Sequence, residues 1–214
     1  IHDDLPSMDD DDLRRGKPTN HKVYGDAIAI LAGDALLTYS FQLITDTPHE
    51  YAGPETKVDL IRELAIAAGA EGMVAGQVAD IQGEGKAMDL KELENVHVRK
   101  TGKLLSYSVK AGAMLASATS EQLHLLEQFS HHLGLAFQIR DDILDLEGEE
   151  GKMGKRVGSD QFKQKNTYPA LLTLDGAKKA LDEQIKLAKE ALYRTNLNIR
   201  LLEDITNLNE QRDH

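Results

Sequence analysis

Residues 121 to 146 read EQLHLLEQFSHHLGLAFQIRDDILDL. Apolar side chains return every three or four positions, at Leu125, Phe129, Leu133, Ala136, Ile139 and Ile143, which is the repeat of an α-helix that buries one face. Thr119 or Ser120 is placed to cap its start. The same repeat runs through Ala27 to Thr45, Val58 to Ile81, Leu90 to Ala118 and Ala177 to Tyr193. Sustained period-2 alternation between turns is missing, so no strand is predicted. Loops fall at Gly16 to Asn20, around Pro48 and Pro54, and between Gly148 and Gly158, a stretch with four glycines. There is no repeat of 20–50 residues and no Pro-, Gly- or Ser-rich linker. The expected fold is all-α, a single-domain antiparallel helical bundle over residues 1–214.

The end of the deciding stretch carries chemistry. Gln138, Asp141, Asp142 and Asp145 follow i, i+3, i+4, i+7, which brings one amide and three carboxylates onto one stripe. Like charges at that spacing repel by a few tenths of a kcal/mol on an exposed helix. Phe137, Ile139, Ile143 and Leu144 flank them, so the stripe borders the core and calls for a cation. Oxygen donors without Cys or His select Mg²⁺ or Ca²⁺ over zinc. Taken alone, the stripe is also what a solvent-facing acidic patch looks like. A second acidic cluster lies at Asp3, Asp4 and Asp9 to Asp12, followed by Arg14 and Arg15. By itself it reads equally well as a frayed terminus with local ion pairs, and it lacks the ligand spacing of an EF-hand. The two clusters are about 130 residues apart and both are expected on helical elements. Together they suit a central cavity lined by opposing helices, with a diphosphate held between acidic walls by bridging Mg²⁺.

Composition narrows the function classes. The net charge is −11, which argues against nucleic acid as a partner, because that binding rests on Lys and Arg neutralising phosphates. The chain has no cysteine, so disulfides and thiolate chemistry are excluded and a reducing, cytoplasmic setting is expected. The longest apolar run, near Ala27 to Leu37, is broken by Asp34. No stable membrane association is expected from it. Ile1 is not a translation start, and N-terminal helices are expected to precede it.

With these motifs in view, the sequence resembles the trans-isoprenyl diphosphate synthase (polyprenyl synthetase) family over its whole length. Asp3, Asp4 and Asp9 in DDLPSMD look like the family's first aspartate motif, in the form with two extra residues. That form is found in bacterial members that make farnesyl diphosphate and in members that make geranylgeranyl diphosphate. Arg14 and Arg15 occupy the motif's arginine pair, and Asp141, Asp142 and Asp145 look like the second motif, with Gln138 at its preceding glutamine. Between them, Gln77 with Asp80 resembles a glutamine-aspartate pair, and Lys100 with Thr101 resembles the mid-chain lysine-threonine pair. Gly154-Lys155 and Lys165-Asn166-Thr167-Tyr168-Pro169 resemble two late lysine sites. The terminal Arg212-Asp213-His214 is similar to the ending of some bacterial farnesyl-forming members.

The resemblance implies an Mg²⁺-dependent, head-to-tail condensation of dimethylallyl or geranyl diphosphate with isopentenyl diphosphate, giving farnesyl diphosphate. Asp3, Asp9, Asp141 and their neighbours Asp4, Asp142 and Asp145 would hold three Mg²⁺. Arg14, Lys100, Lys155 and Lys165 would meet the allylic diphosphate, Arg15 the isopentenyl diphosphate, and Gln77 would also bind substrate. Lys100, Thr101 and Gln138 are the implied catalytic residues, the last two presenting oxygen dipoles to the allylic cation. Released diphosphate takes the final proton, so no protein base is implied. A homodimer is implied as well. His97 reads as a supporting residue, Asp34 has no assigned role, and Asp160 is placed near the metals. The alternatives are a geranylgeranyl or longer-chain synthase, a terpene cyclase, and a non-catalytic helical partner subunit.

Overall fold

The structure is a computed structural model that describes residues 1–147 and 165–212. The helix expected first is present as α7, Ser120–Glu147. Thr119 and Gln122 start it reciprocally: Gln122 N–H donates to Thr119 Oγ1 at 3.2 Å, and Thr119 N–H donates to Gln122 Oε1 at 2.9 Å. The helices before it are α1 (Asn20–Tyr24), α2 (Asp26–Asp46), α3 (Pro54–Ala68), α4 (Met73–Gly83), α5 (Leu90–His97) and α6 (Lys103–Leu115). After it come α8 (Tyr168–Tyr193), which has Pro169 in its first turn, and α9 (Arg200–Gln211). The fold is all-α.

The core is built where α7 and α8 pack along their length. One apolar cluster joins Ala136, Ile139 and Ile143 of α7 to Ala177, Leu181 and Ile185 of α8, with Tyr168 and Leu93. A second joins Leu126, Phe129 and Leu133 to Ala188 and Leu192 at the other end. Both helices keep the 3.6-residue repeat, so each buries one continuous stripe. Thr173 interrupts α8 at φ 67°, ψ 164°, and the helix bends there.

Four expectations change. The run Val58 to Ile81 is two helices, α3 and α4, separated at Gly69–Gly72, where glycine favours an exit from the helix. The run Leu90 to Ala118 contains a π-helical turn, Val98–Gly102, between α5 and α6. The first aspartate cluster does not lie on an α-helix. Asp3 and Asp4 sit in a 3₁₀ turn, His2–Asp4, and Leu5 then turns extended at ψ 154°, because Pro6 disfavours helical geometry in the residue before it. A small hairpin follows, β1 (Leu13–Arg14) pairing antiparallel with β2 (Lys17–Pro18). Its two-residue turn, Arg15 and Gly16, has φ of 52° and 72°, both positive as the favoured tight hairpin requires.

The fourth change is that hairpin, since no strand is expected from the sequence. By length and composition, α2 and the Pro54–Gly83 segment are apolar enough to cross a membrane. Only 6% of the apolar window of α2 is buried, and Leu31, Leu36, Leu37 and Leu43 are all exposed.

Candidate active site

The π-helical turn places the first two site residues. Its wider winding turns Lys100 and Thr101 toward different neighbours, and two glycines let other helices close on it. A Cβ on Gly76 of α4 would sit 2.1 Å from the Lys100 backbone nitrogen, and one on Gly134 of α7 would meet Gly102 Cα at 3.2 Å. Thr101 Oγ1 donates to Gln138 Oε1 at 2.7 Å, and Gln138 Nε2 donates to Asp141 Oδ2 at 3.2 Å. Asp141 also accepts from the Arg212 guanidinium, which lies over the Phe137 ring at 4.3 Å. Arg140 Nε, in turn, donates to the Arg212 carbonyl at 2.7 Å.

Lys100 Nζ reaches Asp80 Oδ2 at 2.7 Å. The same carboxylate lies 3.7 Å from Lys165 Nζ, which donates to Asp9 Oδ1 at 3.0 Å. Gln77, one turn before Asp80 on α4, donates to Asp3 Oδ1 at 2.6 Å. Asp9 folds back on the first turn through its N–H to the Asp3 carbonyl, at 2.9 Å. Thus Asp3, Asp9, Gln77, Asp80, Lys100 and Lys165 form one web of acid, amide and ammonium groups. Thr101, Gln138 and Asp141 form a second chain from the same turn.

Other expected site residues border this web or lie outside it; Arg14, 3.8 Å from Asp3, borders it. Asp4 is buried and is held by Arg14, whose Nε and terminal nitrogen each lie 2.7 Å from Asp4 Oδ1. That hydrogen bond, with the charges of Asp4 and Asp3, raises the Arg14 pKa further. Arg15 is exposed at the hairpin tip. Asp142 is 7% exposed and Asp145 2%. Asp142 accepts from the Tyr168 backbone N–H at 2.8 Å. Lys155, with Gly154 and Asp160, lies outside the described residues. Asp34, unassigned from sequence, is 3.6 Å from His2 Nε2. The His2 ring occupies the space that a Cβ on Gly33 would fill.

Sequence reasoning placed Asp80, Tyr168 and Arg212 in family-like stretches but gave none of them a role at the site. Asp80 had a signal, since it follows Gln77 at i+3 on the same helix face.

The donor set fits Mg²⁺. Asp3, Asp9 and Asp141 offer hard oxygens, and each carboxylate already meets a side chain that supplies positive charge or an N–H: Gln77, Lys165 and Arg212 respectively. Among the described residues no three acidic or imidazole side chains converge on one point; Mg²⁺ commonly takes one or two carboxylates and completes its shell with water and substrate phosphates. An apolar cavity of about 380 Å³ lies away from these groups, between Val109, Ala113, Leu126, Leu192 and Leu202. Leu126 is 15 positions before Asp141 on α7, roughly 22 Å along the helix.

In this all-α fold, acidic and basic side chains from distant parts of the sequence gather around one π-helical turn. The chain belongs to the polyprenyl synthetase family, whose sequence profile matches residues 1–205. It is 59% identical over all 214 residues to a farnesyl diphosphate synthase of Geobacillus stearothermophilus, and 57% to one of Bacillus subtilis, covering 72% of each. It is also similar to the solved geranyltransferase of Helicobacter pylori complexed with magnesium and isoprenyl diphosphate. There the TM-score is 0.85 at 34% identity, covering 97% of this chain and 67% of that one.

Proposed function

We propose that this chain is a prenyltransferase that condenses dimethylallyl or geranyl diphosphate with isopentenyl diphosphate, head to tail, to give farnesyl diphosphate. The observation that carries the reading is the web at the π-helical turn: the first aspartate cluster meets Lys165 directly and Lys100 through Asp80, and Asp141 meets Thr101, the next residue of that turn, through Gln138. The similarity to farnesyl diphosphate synthases supports the product.

The reaction breaks the allylic C–O bond, forms a bond from the isopentenyl alkene to the allylic carbon, and loses one proton to the released diphosphate. Asp3, Asp9 and Asp141 would hold Mg²⁺, three ions by the family resemblance, which would supply positive charge against the departing diphosphate. Lys100 and Lys165, now paired with carboxylates, are exchanged onto the diphosphate when it arrives. Lys155 and Arg14 are assigned to the same anion, and Arg15, exposed and cationic, to the second diphosphate. Thr101 spends its hydroxyl proton on Gln138, which leaves its oxygen lone pairs to face the allylic cation. Such fixed dipoles need no reorganisation as the charge develops.

The test is turnover of labelled isopentenyl diphosphate with each allylic partner, with and without Mg²⁺, followed by chromatography of the dephosphorylated alcohols. A C15 alcohol formed only with Mg²⁺ is the expected result. A C20 or longer alcohol refutes the product, and no condensation by the whole protein refutes the reaction.

A further inference from the structure

Asp142 belongs by sequence to an acidic motif, yet its surroundings differ from those of Asp141 one residue earlier. The Asp141 side chain is 39% exposed and that of Asp142 is 9%. One oxygen of Asp142, Oδ2, accepts the Tyr168 N–H at 2.8 Å and lies 3.6 Å from His97 Nε2. The His97 ring stacks on Tyr168, centroids 5.9 Å apart and 11° between planes. Tyr168 is 1% exposed and its hydroxyl donates to Glu94 at 3.1 Å. Two groups of α5 and one carboxylate of α7 therefore grip the first residue of α8.

Lys165 lies three residues before Tyr168. Between them, Asn166 accepts from Met88 N–H at 3.2 Å and donates to the Gly83 and Lys86 carbonyls at 3.3 and 2.9 Å. The residues that follow Lys165 are thus fastened twice, to the end of α4 by Asn166 and to α7 through Tyr168 and Asp142. Its ammonium is delivered to Asp9 and Asp80. An oxygen already accepting a backbone N–H, in a nearly buried carboxylate, is poorly placed for a metal that keeps several waters.

Resting on the functional reading above, we propose that Asp142, with His97 and Tyr168, is a positioning residue that fixes Lys165 in the diphosphate site, and that it does not ligate Mg²⁺. The test is calorimetry of Mg²⁺ and inorganic diphosphate binding to the whole protein, which needs no turnover. Lys165→Ala removes a charge-assisted contact and is expected to weaken diphosphate binding roughly 10- to 100-fold. Asp142→Ala is expected to reproduce much of that loss, and the double variant to match Lys165→Ala within about 2-fold, since residues acting through one contact are not additive. Asp142→Asn keeps a carbonyl for the Tyr168 N–H and is expected to bind diphosphate and Mg²⁺ nearly as the wild type does, even if Asp142→Ala folds poorly. Additive losses, or an Asn variant with weakened Mg²⁺ dependence, would overturn the proposal. A wild type that binds Mg²⁺ and diphosphate but condenses no prenyl substrate overturns the functional reading alone.

Discussion

Thr101 and Gln138 are 37 positions apart, yet they share one 2.7 Å hydrogen bond that leads to Asp141. Thr101→Val removes that donor at nearly constant volume. A neutral hydrogen bond is worth about 0.5–1.5 kcal/mol, so kcat should fall up to ~10-fold at little changed KM, and Thr101→Ser should restore it. An unchanged kcat in the valine variant would remove Thr101 from the catalytic set. Asp3→Ala and Asp141→Ala should each lower kcat/KM roughly 10³-fold or more, since losing a Mg²⁺ ligand costs several kcal/mol of transition-state stabilisation. Near-normal turnover of either variant at saturating Mg²⁺ would contradict its role. Spacing located these aspartates but did not separate them. Asp141 and Asp142 are neighbours about 100° apart around the helix, and only packing decides which of the two faces the interior. Asp142 turns toward Tyr168, a residue 26 positions later, and no local pattern reports that contact.

Gly76 is where α4 closes on the backbone of the π-helical turn. A methyl there gains about 1 kcal/mol of helix propensity but would sit 2.1 Å from the Lys100 nitrogen and 2.6 Å from its Cα. The contacting atoms are backbone, so they cannot swing aside, and overpacking of this kind typically costs about 1–3 kcal/mol. Gly76→Ala should therefore lower Tm, by about 2–4 °C per kcal/mol for a chain of this size, and lower activity by displacing Lys100 and Thr101. A variant as stable and active as the wild type would mean that the approach is looser than described. At this scale the sequence was legible where periodicity was long: the bounds of α2 and α7 differ from their expected bounds by one residue at each end. The π-helical turn escaped because it spans only Val98–Gly102, too short to register in a periodicity read over windows of about 11–18 residues. The break between α3 and α4 escaped because the repeat resumes in phase after Gly72. The helix α9 was missed although Leu201, Ile205 and Leu208 repeat at helical spacing; its polar composition hid it.

For the whole molecule, α2 poses the main question, because a 21-residue helix with this much exposed apolar surface is rarely left in water. The family resemblance implies a homodimer, and α2 is the face we expect it to use. Light scattering should give twice the chain mass, and Leu31→Glu should shift the protein toward monomer, since burying a leucine is worth ~1.5–3 kcal/mol and the change occurs in both copies. Monomer at all concentrations, or recovery with lipid vesicles instead, would count against it. The pairs at the active site bear on the same scale. Asp3, Asp9 and Asp141 each meet a group of the chain itself, so their mutual repulsion is already offset before any ion arrives. In zinc fingers, by contrast, metal affinity is itself folding free energy. Here a chelator should abolish turnover but lower the melting temperature only slightly, by the ion binding that stabilises the folded state. A cell's magnesium supply would then throttle the rate of this protein far more than it alters how much of it survives, separating control of flux from control of abundance.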